Sequence, residues 1–362
     1  MAAIPILSDT ELLFQAVRAS GSRARFVGIT GTNGKSTTTA LLAHILKAAE
    51  IPVAAGANLG PAALSLPLLP HDGVYVLEMS SYMLERLATL RFDAAAMLNL
   101  SADHIDRHGT MGGYALAKRA IFDRQTTTDL AVIGVDDPDS RDMAAWLEAR
   151  PAQLIRVSGM QPPFPLGAAL PGTHNAQNAA AATAMARFLG ASDAAISLAL
   201  ISYPGLPHRQ QRIVTIDGVT FINDSKATNA AAAARALVCY DRLIWIAGGM
   251  AKEGGIEPLV PLLPRIAHAF LIGRDAPDFA ATLLRHGVPF DVAGTLEAAV
   301  PAAYAAAQSA EAPVVLLSPA CASWDQFTGY DQRGDRFAAL ARDLEPGALP
   351  PPGARIRPEG RA

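Results

Sequence analysis

The sequence predicts an α/β protein of two successive domains, a larger one built on a doubly wound parallel sheet and a smaller Rossmann-like one. Short apolar runs alternate with helix-length stretches along the whole chain, the βαβ rhythm of parallel sheets with helices on both faces. A run of turn formers, Tyr203-Pro-Gly-Leu-Pro-His-Arg209, interrupts that rhythm, which then resumes. The length of 362 residues also exceeds one ordinary core, at roughly 150 residues per domain.

The elements follow in order. Residues 26–30, 74–79, 94–100 and 130–135 read as buried strands, each followed by room for a helix. Residues 175–189 are alanine-rich and read as a helix, as do 194–200. The turn formers place the domain boundary between 204 and 205, giving a first domain over 25–204. Strands are expected at 211–216, 219–223, 243–247, 269–272 and 314–317, and helices at 229–238, 296–307 and 333–344, in a second domain over 205–344. Residues 345–362, rich in proline, glycine and arginine, read as a flexible tail.

Composition excludes several classes. With 51% hydrophobic and 17% charged residues the chain is not disordered. The best uncharged run, 51–70, contains Pro52, Pro61, Pro67 and Pro70, which break any spanning helix, so no membrane insertion is expected. The N-terminus has no secretory pattern, and the default address is the cytoplasm. A net charge of -3 with no polybasic block argues against nucleic acid as a partner. Two distant cysteines, Cys239 and Cys321, suit a reducing compartment. Lysine is scarce: Lys35, Lys47, Lys118, Lys226 and Lys252 are the whole set, and every other basic residue is arginine. Lysine is therefore expected where an ammonium or the chemistry of a primary amine is needed.

Gly31-Thr32-Asn33-Gly34-Lys35-Ser36-Thr37 follows a strand and opens a helix. Backbone N–H groups at a helix N-terminus cradle phosphate, with Lys35 toward the terminal phosphates and Ser36 toward Mg²⁺. The spacing departs from the common P-loop, since Ile29 stands where its first glycine would be. Glu78 ends an apolar strand at the crevice side of the sheet, either as a metal ligand or as a solvated strand-end carboxylate. Asn58 lies in an Asn-Leu-Gly turn, where asparagine is usually structural. Asp103, His104, Asp106 and His108 follow another strand and could form a metal or acid-base locus, or satisfy their own loop. Lys118 lies on an amphipathic stretch, where it would ordinarily be a surface residue. In the second domain, Asp224-Ser-Lys226-Ala-Thr228-Asn229, Gly248-Gly-Met-Ala-Lys252 and Ser318-Pro-Ala-Cys-Ala-Ser323 each follow a strand, so their polar groups converge on a small anionic ligand.

Together these motifs resemble the Mur ligase family. The phosphate motif is similar to the one that Mur ligases share with folylpolyglutamate synthetases, as are Glu78-Met-Ser80-Ser81, Asp103-His-Ile-Asp-Arg107 and His174-Asn175-Ala-Gln-Asn178 to further ligase signatures. Gly205-Leu-Pro-His-Arg209, Asn223-Asp-Ser-Lys-Ala-Thr-Asn229 and 318–327 look like the branch that adds D-glutamate to UDP-N-acetylmuramoyl-L-alanine. The resemblance runs from residue 4 to 344. It implies a P-loop-type ATPase domain, an ATP and Mg²⁺ requirement, an acyl-phosphate intermediate and a place in peptidoglycan precursor synthesis.

The resemblance also implies roles. Lys35, Glu78, His104 and Lys118 would be catalytic, with Ser36, Glu78, His104 and a carbamylated Lys118 at the metal ions. Gly31, Thr32, Asn33, Gly34, Lys35, Ser36, Thr37, Asn175, Asn178, Arg209 and Asp224 would bind ATP. Lys226, Thr228, Lys252, Ser323 and Tyr330 would hold glutamate, and Asn58, Ser80 and His104 the muramoyl-alanine side. Lys47 would be a surface residue. Hinge closure near Arg209 is expected, as is a monomer. Trp324 replaces a smaller apolar residue of the family pattern, which implies a different wall to the glutamate pocket. The family has a further N-terminal domain that grips the uridine diphosphate; residues 1–24 read as the remnant of a linker from it, so weak binding of the UDP substrate is expected. A ligase adding L-glutamate, a folylpolyglutamate synthetase and a catalytically silent nucleotide-binding protein are the competing readings.

Overall fold

A computed structural model describes residues 6–344, and the tail expected at 345–362 lies outside them. These residues form two compact units that divide between Pro204 and Gly205. No helix among them is long and apolar enough to cross a membrane.

The first unit runs α1 (Asp9–Ala19), β1 (Arg25–Thr30), α2 (Lys35–Ala48), β2 (Val53–Ala57), β3 (Val74–Glu78), α3 (Ser81–Leu84), β4 (Ala94–Met97), α4 (Ile105–His108), α5 (Met111–Arg119), β5 (Leu130–Gly134), α6 (Pro138–Glu148), β6 (Gln153–Val157), α7 (Thr173–Leu189) and α8 (Asp193–Ser202). Its six strands pair in parallel in the order β2-β3-β1-β4-β5-β6. Alternation along β1 explains why both faces are covered. Val27 and Ile29 pack with Leu41, Leu42 and Ile45 of α2 and with the alanines of α7. Phe26 packs on the opposite face with Leu13 and Val17 of α1, Tyr75 and Tyr114. The chain fills one side of β1 and then the other, so the loops after β1, β3 and β4 meet at the carboxyl ends of the strands, where such sheets bind ligands.

The second unit runs β7 (Gln211–Ile216), β8 (Val219–Asn223), α9 (Ala230–Leu237), β9 (Leu243–Gly248), β10 (Ile266–Ile272), α10 (Ala276–Arg285), β11 (Phe290–Gly294), α11 (Leu296–Ser309), β12 (Val314–Leu317) and α12 (Tyr330–Arg342). Its strand order is β11-β10-β9-β12-β8-β7, parallel except for β7, which joins β8 through a tight turn. Trp245 faces one core, and Ile244 and Ile246 face the other. The loops after β8, β9 and β12 again share one end of the sheet.

The described part of the stretch expected as a linker remnant is helical from Asp9, forming α1, which Ser8 caps by accepting the Glu11 N–H. The helix is integrated because Glu11, fully buried, accepts the backbone N–H groups of Ala88, Thr89 and Leu90. Against the opposing effect of burial, the Thr89 hydroxyl first and then the Leu90 and Ala88 N–H groups hold its carboxyl at about 2, below the usual 4.5.

Candidate active site

In the first unit β1 delivers Gly31 at φ +147° and Gly34 at φ +82°, and α2 starts at Lys35 with no side-chain cap from Gly34. Gly34 has a steric reason as well: a Cβ there would lie 2.3 Å from Asn178 Oδ1. Asn178 Nδ2 donates to Asn175 Oδ1 (3.2 Å), and Asn175 Nδ2 donates in turn to the Pro171 carbonyl, so the start of α7 packs against the glycine loop. The N–H groups of this loop are not all open, as the sequence suggested. Thr32 N–H goes to the Asn99 carbonyl and Asn33 N–H to Asn99 Oδ1 (2.9 Å each). Ser36 is buried and Thr37 half-buried in the first turn of α2.

Lys35 Nζ donates to the carbonyls of Gly31 (2.8 Å) and Thr32 (2.9 Å). Lys118 Nζ donates to the same Gly31 carbonyl at 2.9 Å and lies 4.6 Å from the centre of the Tyr114 ring. Two lysines on one carbonyl oxygen form a centre that calls for an anion. The reading of Lys118 as surface decoration is overturned, since it is 1% exposed. Burial, reinforced by Lys35, lowers its pKa to about 7, while Asp103 and Glu78 oppose the shift.

Glu78 is 2% exposed, which overturns its reading as a solvated carboxylate. Its Oε1 accepts from Asn58 Nδ2 (2.6 Å), so Asn58 is a partner of the carboxylate. Its Oε2 is buried with no hydrogen-bond partner. An orphaned carboxylate oxygen, within electrostatic reach of Lys118, and the buried Ser36 hydroxyl are hard-oxygen donors of the kind that fits Mg²⁺ shared with phosphate. Among the described residues no group of three or more His, Cys, Asp and Glu side chains could hold a metal ion. Ser80 caps α3 by accepting the Met83 N–H. His104 is exposed at φ +53°, with Nδ1 against Tyr82 Oη (3.2 Å) and its ring 6.5 Å from that of Tyr114.

In the second unit Asp224 is buried and accepts from Ser318 Oγ (2.7 Å) and Gln210 N–H (3.2 Å). Burial pushes its carboxyl up to about 7, against those bonds and the nearby Arg209. Lys226 N–H donates to the His208 carbonyl, and its ammonium lies 5.1 Å from the centre of the Tyr330 ring. Thr228 N–H bonds the Lys226 carbonyl, and Ser323 is buried in the loop after β12. That loop joins the glycine loop after β9 through Met250 and Ala322, which exchange both backbone bonds. Lys252 follows, exposed, lining a polar cleft of about 570 Å³ with Glu253, Asp275 and Asp278. Trp324 is 67% exposed beside Ser323. Sequence reasoning assigned no individual role to Tyr114, Ser318 or Arg333; Tyr114 opens the amphipathic stretch of Lys118 and Ser318 opens the motif ending at Ser323, while Arg333 carried no signal beyond its place in a helix.

Both units are similar to known proteins. Residues 29–163 match the Mur ligase middle domain and 208–321 the Mur ligase glutamate ligase domain. A UDP-N-acetylmuramoylalanine--D-glutamate ligase of Paramagnetospirillum magneticum is 48% identical over 95% of this chain and 79% of its own. One of the same name from Rhodospirillum rubrum is 48% identical over 94% and 76%. Among solved structures, a MurF ligase of Thermotoga maritima in complex with ADP is similar at TM-score 0.66 and 18% identity, covering 93% of this chain and 85% of that one. A folylpolyglutamate synthase of Mycobacterium tuberculosis gives 0.65 and 16%, covering 93% and 96%. Those two likenesses concern the fold, whereas the two D-glutamate ligases match in sequence along nearly the whole chain, and on that ground this chain belongs to the Mur ligase family.

Proposed function

We propose that this chain is an ATP-dependent ligase that joins D-glutamate to UDP-N-acetylmuramoyl-L-alanine, releasing ADP and phosphate. The observation that carries the substrate choice is the sequence match to ligases of that name over 95% and 94% of the chain. In this reading residues 25–204 are a P-loop-type ATPase domain and 205–344 a Rossmann-like amino-acid-binding domain, working in the cytoplasm as a monomer.

The chemistry follows from the residues. Lys35, Ser36 and the loop 31–37 bind the ATP phosphates, and Asn175, Asn178, Arg209 and Asp224 hold the rest of the nucleotide. The substrate carboxylate, steered by Asn58, Ser80 and His104, attacks the terminal phosphorus, and ADP leaves as the acyl phosphate forms. Ser36, Glu78, His104 and Lys118 would hold Mg²⁺, whose chemistry would be to offset charge building on the phosphoryl oxygens. Lys118 with a pKa of about 7 is substantially a neutral amine near neutral pH. Its lone pair can add to CO₂, losing one proton, to give a carbamate. That replaces a repelled ammonium by an anion able to hold cations. Lys226, Thr228, Lys252, Ser323 and Tyr330 hold glutamate while its free amine attacks the acyl phosphate. The C–N bond forms, the amine's surplus proton passes to the departing phosphate, the C–O bond to phosphate breaks, and phosphate leaves.

The test is phosphate release with UDP-N-acetylmuramoyl-L-alanine and each glutamate enantiomer. Release with D-glutamate alone, lost by at least about a hundredfold in Lys35→Ala, is the expected result. Equal rates with L-glutamate, or none with either, would defeat the reading.

A further inference from the structure

The first turn of α12 holds a cation that the reaction described above does not use. Arg333 is 1% exposed. Its Nε donates to Ser225 Oγ (2.9 Å), and its Nη2 donates to the carbonyls of Ser225 (2.7 Å) and Cys321 (3.1 Å). Ser225 Oγ donates onward to the Tyr330 carbonyl at 2.7 Å. One guanidinium thus ties together the stretches that carry Lys226 and Thr228, Ser323, and Tyr330. The remaining nitrogen, Nη1, is buried without a hydrogen-bond partner. Gly249 of the loop leading to Lys252 lies against it, at φ +127°, where a Cβ would come within 3.4 Å of Nη1.

Every atom that accepts from this guanidinium is a carbonyl or hydroxyl oxygen, and none is a carboxylate. Burial lowers its pKa only to about 10, so it stays charged near neutral pH. Its hydrogen-bond acceptors are dipoles and Asp325 acts on it only through space, so the guanidinium keeps its positive charge among the loops around it. The planar edge formed by Nε and Nη2 holds the Ser225 hydroxyl together with the Ser225 and Cys321 carbonyls, a two-nitrogen grip that a lysine could not reproduce.

We propose that Arg333 is a positioning residue of the amino-acid site, holding the loops of Lys226 and Ser323 in register and biasing the site toward an amino acid with two carboxylates. The proposal rests on the D-glutamate reading above, and Arg333 acts through the loops, without touching substrate.

The test is steady-state phosphate release by the full chain at saturating ATP and UDP-N-acetylmuramoyl-L-alanine, with D-glutamate varied. Arg333→Met is expected to raise the KM for D-glutamate by at least about tenfold, a loss of about 1.4 kcal/mol. Arg333→Lys, which keeps charge but loses the fork, and Ser225→Ala, which removes one contact, should each raise it by about threefold. The KM for ATP should stay within about twofold in all of them. If Arg333→Met does not fold, the two milder variants decide. Folded variants with an unchanged KM for D-glutamate, or with only kcat and Tm lowered, would overturn the proposal alone. A wild-type chain indifferent to D-glutamate would overturn the parent reading and this one with it.

Discussion

Lys118 shows how one side chain can carry a site's electrostatics. It is buried, shares the Gly31 carbonyl with Lys35, and has a pKa near 7 where a free lysine has 10.5. Between those values the unfolded chain binds more protons than the folded one, so folding stability rises with pH across that window, and below it the penalty is fully present. At about 1.4 kcal/mol per unit, wild-type stability in CO₂-free buffer should climb by roughly 1–2 kcal/mol relative to Lys118→Met between about pH 7 and 8.5. Parallel urea curves for the two proteins at all pH values would contradict the assignment. The low pKa could not be read from the sequence. The scarcity of lysine marked the position, but burial depends on Tyr114 and the glycine loop closing over it, a tertiary fact.

At the scale of elements, the central strands were legible, and of the four edge strands only β7 was. Residues 211–216, 219–223 and 314–317 are strands over those same bounds, because apolar, β-branched runs flanked by turns admit few other readings. Three missed strands, β2, β6 and β11, are all at sheet edges. β6 has a largely exposed pattern with Gln153 and Arg156, so no apolar run announces it. β2 was hidden among the prolines and glycines of 51–70, which marked the segment only as unable to form a helix. The start of α1 carried a signal that went unused, Ser8 followed three residues later by Glu11, the capping-box spacing. Here Glu11 has a larger task, docking the helix onto residues 88–90. Its lowered pKa means that it contributes stability above about pH 4.5, a contribution lost as pH falls toward 2. Glu11→Gln should therefore cost on the order of 2–3 kcal/mol at neutral pH, with the gap to wild type closing below about pH 4. Urea denaturation across that range measures it, and a pH-independent gap would count against the carboxylate as the cause.

At the scale of the whole molecule, each unit is complete in the terms that decide folding. The two cores flanking the first sheet draw on residues up to Tyr203, and those flanking the second begin at Ile213 or later. The chemistry divides in the same way: Lys35, Glu78 and Lys118 stand on the first sheet's loops, and Asp224, Lys226 and Arg333 on the second's. Units of this size bury about two thirds of their unfolded surface, enough to fold without a partner. Residues 6–204 and 205–344, expressed separately, should therefore each unfold cooperatively in calorimetry. Mg-ADP at about a hundred times its dissociation constant for the 6–204 fragment should add about 2.7 kcal/mol, or roughly 5–10 °C in Tm. Lys35→Ala should abolish that shift, because it removes the ammonium closest to the loop that would hold the phosphates while leaving both cores intact. A 6–204 fragment that melts without cooperativity would show that its two-sided core is insufficient. A fragment that melts cooperatively but ignores Mg-ADP would show instead that the loop between β1 and α2 does not bind phosphate by itself, which locates the failure in the site and not in the fold.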